Sequence, residues 1–440
     1  MNERISVLYA RYAAVLLALT LVAGAYLRSA FVWPAVRGGL QTPHVIHAHS
    51  HGGFFGWMVM AAAAGLVLLV PSLGRRAVLG HRLLAHGIGI GSVVAFVGFA
   101  LRGYDALTIT VSAVHVAFWI TLAALLWRPL GSVGDTGSTS LLRAGLAFLV
   151  VAGAMTVVPA VMMVRQVTDP WLVQFGVKLF LTPFVSGFLL LTALGFLYRG
   201  RIGADTRNAT TVVLLVAVGA LPSTLLYVPG APAPVLVLIG RLGIGLVGAA
   251  LLLATWDLAA SATRARLRPP PLPLLAVAAA AAAGLVKLAA AAGVGAAFMH
   301  NRSIVVAVLH LILLGLVTPA LLHGMQRQAR AGIRTLLYAS ALVAMLAPLA
   351  ASGWPWAARM LMLNGIGLDL LLVLAAVGGI LTVLTLLALT GVPDVSQIGS
   401  QGIPAGSAAA ETVDGTIATS APTPSSSSRR IRTPAPYSNI

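Results

Sequence analysis

Apolar runs of about twenty residues, the length that crosses a bilayer as a helix, follow one another along most of the chain, each closed by Arg, Gly, Pro or Ser. Read this way the pattern predicts twelve spans, at 8–32, 46–70, 79–101, 106–127, 141–164, 171–198, 209–228, 234–257, 272–298, 301–323, 333–351 and 361–390. The fold class this implies is an all-α, polytopic integral membrane protein. The start, MNERISVLYARYAAVLLALTLVAGAYLRSAFVW, lacks a small-residue cleavage site and reads as the first span, not as a removed signal. From 391 to 440 the alternation ends in Ser, Pro, Thr and Gly. A segment such as SSSSRRIRTPAPYSNI cannot bury a core and is expected to be a disordered tail. Pro159, Pro183, Pro222, Pro319 and Pro348, with GIGIG at 87–91 and GRLGIGLVG at 240–248, read as kinks and close helix packing. No strong internal sequence repeat stands out.

Composition narrows the class. The chain of 440 residues is 59% hydrophobic and 9% charged, with a mean hydropathy of +0.96, which excludes an ordinary soluble protein. The net charge of +18 could suggest nucleic acid, but the basic residues sit in short interhelical loops, where they set topology, so nucleic acid is not an expected partner. Loops after the second, fourth, sixth, eighth and tenth spans, with their flanks, hold fourteen arginines, against six after the odd spans. Both termini are therefore expected on the cytoplasmic side of the cell's inner (plasma) membrane. With no cysteine, a metal must rest mainly on imidazole.

Chemistry concentrates in TPHVIHAHSHGGFFG, residues 42–56, which holds four of the ten histidines where the second span begins. Intramembrane histidines are costly without a partner, so the group points to metal, haem or proton traffic. On a helix His44, His47 and His51 share one face, while His49, about 200° from His47, looks the other way. His44, His47 and His51, with His300, are candidate ligands for copper or zinc at the outer surface, against the simpler reading of exposed polar side chains. The tenth span, MHNRSIVVAVLHLILLGLVTPALLHG, carries His300, His310 and His323. His310 lies about 15 Å below His300, deep in hydrocarbon, as a satisfied core histidine or as a ligand. His49 descends from the same side. Two imidazoles from separate helices at similar depth form an axial pair for haem iron, although the boundaries above place His49 shallower than His310 by roughly 9 Å. His115 reads as core packing, His81, His86 and Asp257 as interfacial. Lys178, Arg241 and Lys287 are intramembrane cations with open roles, and Asp369 lies in the last span.

These motifs resemble those of the catalytic subunit of haem-copper oxidases (the cytochrome c oxidase subunit I fold), and more closely its subunit-I-like and NnrS-type relatives. His47-Ala48-His49-Ser50-His51 followed by FFGWMVM is similar to the family's second-helix segment that carries a low-spin haem ligand. The resemblance places that role on His49, and the second low-spin ligand on His310. It implies that Arg28 contacts the haem edge and that Arg359 meets the propionates, where the family keeps an arginine pair. At the position of the high-spin ligand stands Val308, and the sixth and seventh spans carry no histidine for the copper site. The resemblance thus implies a degenerate member of a subunit-I-like bundle, holding at most one haem b, with electron transfer or a nitric-oxide- or metal-related role and no oxygen reduction. Two alternatives stay open from the sequence: a transporter with a histidine-lined path, and a cofactor-free assembly partner.

Overall fold

A computed structural model describes residues 1–71, 73–134, 137–199, 206–228, 233–264, 266, 269–294, 301–325, 332–353 and 368–390. His300, Arg359 and the tail at 391–440, with its expected disorder, lie outside the described residues. The described chain folds into twelve long helices: α1 Asn2–Val32, α2 Thr42–Leu69, α3 Arg75–Arg102, α4 Ala106–Gly131, α5 Gly137–Val164, α6 Pro170–Arg199, α7 Thr206–Ser223, α8 Pro234–Arg264, α9 Pro271–Ala291, α10 Ser303–Met325, α11 Gly332–Gly353 and α12 Leu368–Thr390. Eleven are long and apolar enough to cross a membrane on their described residues, and the part of α12 that qualifies, Val373–Thr382, is shorter. The chain is an all-α, multi-pass membrane protein.

Local chemistry sets the boundaries. Thr42-Pro43 opens α2 four residues ahead of the expected start, because proline's fixed φ suits the first helical turn and the histidines that follow do not break it. Asp105 caps α4, accepting from the Thr108 amide at 2.9 Å while its own amide donates to the Thr108 hydroxyl at 2.9 Å. Asp169 caps α6 and Asn301 caps α10 in the same manner. Three helices carry a π turn: Gly52–Met58 in α2, Pro183–Leu189 in α6 and Leu311–Val317 in α10. In α6 the turn absorbs Pro183, whose missing N–H needs no acceptor.

These three helices are also the most enclosed. Around them α1, α3, α4, α5, α7, α8, α9, α11 and α12 pack in succession, and α12 returns to α1 to close the ring. An inner helix thus recurs every fourth span although no sequence repeat announces it. Small residues make the contacts, as expected where lipid removes most of the hydrophobic drive between helices. Gly219 of α7 and Gly243 of α8 face each other so closely that a Cβ on Gly219 would lie 2.6 Å from the Gly243 carbonyl oxygen. The glycines of GIGIG in α3 receive Phe118, Tyr12 and His115 from the flanking helices.

Candidate functional site

A cavity of about 590 Å³ opens between α1, α2 and α10, with α11 and α12 behind it. One face of α1 forms a wall through Thr20, Gly24 and Arg28, spaced at i, i+4 and i+8. His49 and Phe54 come from α2, His310 from α10, Met345 from α11 and Thr382 from α12. The walls are mostly apolar, which excludes water from whatever the cavity holds. Arg28 is the one charged side chain among the described residues that line it, and its positive charge acts on both imidazoles.

His49 and His310 meet here. Their ring centres are 6.5 Å apart and their planes 15° from parallel. The 9 Å depth offset drawn from sequence disappears mainly because α2 starts earlier than its hydropathy suggests. Each imidazole is anchored through Nδ1, His49 to the Thr20 carbonyl at 2.9 Å and His310 to the Val306 carbonyl at 2.8 Å. A carbonyl only accepts, so each Nδ1 carries the proton and each neutral ring presents a bare Nε2 lone pair, the state required of a metal ligand. With a metal–imidazole bond of about 2.0 Å, two rings sharing one ion in line have centres about 6 Å apart. Gly24 makes room for this arrangement, since a Cβ on it would meet His49 Cε1 at 3.0 Å.

The other three histidines of α2, His44, His47 and His51, turn the other way. His47 packs on Tyr104 at 4.6 Å between ring centres, and His51 lies on Phe99 at 4.0 Å, nearly parallel to it, with Phe55 at 4.3 Å. His44 sits beside Gly103, in the α3–α4 connection. Among the described residues no three of His, Asp, Glu or Cys gather as a metal site. The simpler expectation of exposed side chains needs correction, because α3 and α4 half-bury all three; His300, the fourth candidate metal ligand, lies outside the described residues.

Among the other titratable groups, His115 agrees with its sequence reading as core packing, and the rest gain partners or burial that the sequence did not show. His115 is a satisfied core residue, with Nδ1 donating to the Val111 carbonyl at 2.8 Å and Nε2 3.0 Å from the Ser92 hydroxyl. His81 is fully buried and lies 3.2 Å from the Tyr9 hydroxyl, because the helix that starts at Arg75 turns this residue onto α1. Asp257 is 2% exposed, since α8 continues two turns past it to Arg264. Lys287 donates to the Tyr227 hydroxyl at 3.0 Å.

Sequence reasoning found both imidazoles and Arg28 but missed Thr20, Gly24 and Met345. The first two were legible as the stripe that leads to Arg28 at helical spacing; nothing marked Met345. No protein-family model matches the chain, and no curated protein matches it either.

Proposed function

We propose that the chain is a membrane haem protein that holds one haem b between His49 and His310 and serves electron transfer, as a relative of the haem-copper oxidase subunit I bundle without its oxygen-reducing centre. The observation that carries this reading is the pair of Nδ1-anchored imidazoles at the spacing of a shared ion on one apolar cavity. The donor set fits the group. His49 and His310 would hold the iron through their two Nε2 nitrogens, and a haem held by both would serve electron transfer in preference to ligand turnover. A bound haem would supply a ferric–ferrous couple. The chain supplies the rest: the Thr20 and Val306 carbonyls hold each Nδ1 proton, the apolar walls exclude water, and Arg28 offsets propionate charge. Arg359, the other proposed propionate partner, lies outside the described residues. The same reading puts both termini in the cytoplasm and the histidine site in the outer half of the membrane.

The test is an absorbance spectrum of the detergent-solubilised protein, oxidised and reduced, with iron analysis. A Soret band with one iron per chain is expected, lost in His310→Ala and kept in His115→Ala, whose ring has no nitrogen to spare. Iron-free protein without a Soret band, or a band unchanged in His310→Ala, overturns the proposal.

A further inference from the structure

A second cavity, of about 440 Å³, lies where α4 ends and α5 begins. Trp127 and Gly131 of α4, Gly134 of the connection, and Thr139, Ser140 and Arg143 of α5 line it. The guanidinium carbon of Arg143 stands 4.5 Å from the centre of the Trp127 ring. Gly131 lets it lie there, since a Cβ would come within 3.4 Å of one terminal nitrogen. A cation–π contact of this kind holds the guanidinium against the indole without using up its hydrogen-bonding capacity, so N–H groups remain for a ligand. One of them is unsatisfied: Nε is buried without a hydrogen-bond partner. Buried donors are normally paired, and the planar guanidinium fork suits an oxyanion with two oxygens to offer. The Ser140 hydroxyl lies on the same wall, and no described lining residue is acidic. Arg128, next to Trp127 and exposed, adds positive charge outside.

We propose that this cavity binds a phosphate group, gripped by the Arg143 fork with Ser140 as a second donor. Trp127 and Arg128 end a spanning helix, the depth at which indoles and cations meet lipid headgroups, so the phosphate comes either from an anionic phospholipid or from a soluble phosphate compound.

Two measurements on the full-length purified protein separate these sources. Native mass spectrometry after exposure to phosphatidylglycerol counts retained lipid, with diacylglycerol as the phosphate-free control; calorimetry with inorganic phosphate reads the soluble source. The wild type is expected to keep one more phosphatidylglycerol than Arg143→Gln, or to bind phosphate at least tenfold more tightly than it, with Arg143→Lys in between because an ammonium lacks the fork. A difference in the lipid arm assigns the headgroup; a difference in the phosphate arm assigns the soluble ligand. Equal lipid counts with no phosphate binding by either protein overturn the proposal, as does diacylglycerol retained as well as phosphatidylglycerol. If Arg143→Gln loses its helical circular dichroism, Ser140→Ala and Trp127→Leu, which remove the second donor and the stacking partner, are read by the same criteria.

Discussion

At the scale of single residues, the feature that separates His49 and His310 from the other histidines is where the second ring nitrogen goes. His115 spends both nitrogens, Nδ1 on the Val111 carbonyl and Nε2 on the Ser92 hydroxyl, whereas His49 and His310 spend only Nδ1. Gly24 turns this into a prediction. A valine there forces atoms against His49 Cε1, already 3.0 Å from where a Cβ would stand, and rotates the ring off its Thr20 anchor. On the proposed haem site, Gly24→Val is expected to lower haem affinity by about tenfold or more, in line with the loss of a ligand's outer support, while leaving helical content intact; haem titration of the purified protein followed at the Soret band checks this. The two histidines were legible in the sequence because polar side chains stand out in an apolar run. Their anchors were not, since Thr20 and Val306 act through backbone carbonyls, and a carbonyl carries no residue identity.

At the scale of elements, helix starts were legible where Pro, Asp or Asn opens a span, except at α2, where Thr42-Pro43 opens the helix four residues ahead of its apolar run, and ends were less so. The π turns escaped because Gly52, Pro183 and Gly315 look in sequence like ordinary kinks. The end of α2 depends on a distant residue: Asn2 donates to the carbonyls of Val70 and Pro71, each at 3.0 Å, and accepts from the Leu73 amide at 3.0 Å. Asn2→Ala leaves those groups without a protein partner and is expected to cost about 1–3 kcal/mol, seen as a lower melting temperature in detergent, with Asn2→Asp intermediate because it keeps the acceptor. The start of α4 responds to pH. The Thr108 amide first, then the Thr108 hydroxyl and Arg102, hold the Asp105 carboxyl below its usual 3.8. A carboxyl held low in the fold adds stability above its unfolded value, and that stability is lost as pH falls through the folded value. Amide protection in the first turn of α4 is therefore expected to fall below about pH 4, and Asp105→Asn, which cannot ionise, is expected to flatten that dependence; hydrogen exchange corrected for intrinsic rates measures both.

At the scale of the whole molecule, hydropathy revealed the spans but not their neighbours. The placing of α2, α6 and α10 inside a ring of nine depends on side-chain size at every interface, information spread too thinly along the chain to read in advance. The proposed orientation rests on a different signal, the excess of arginine at one set of loops, and with α12 counted as a span the two ends of the bundle return to the same side. Because the chain has no cysteine, single introduced thiols test this cleanly. Gln41, in the α1–α2 connection, and Ser132, in the α4–α5 connection, are both exposed and belong to opposite faces. Arginine loops retained inside place Gln41 outside and Ser132 in the cytoplasm. A membrane-impermeant maleimide on intact cells is then expected to label Gln41→Cys at once and Ser132→Cys only after permeabilisation. The reverse pattern would invert the bundle. His49, eight residues from Gln41 and about 12 Å along α2, would then face a cytoplasmic electron donor instead of an outer one, and the Arg143 cavity would face the outer leaflet.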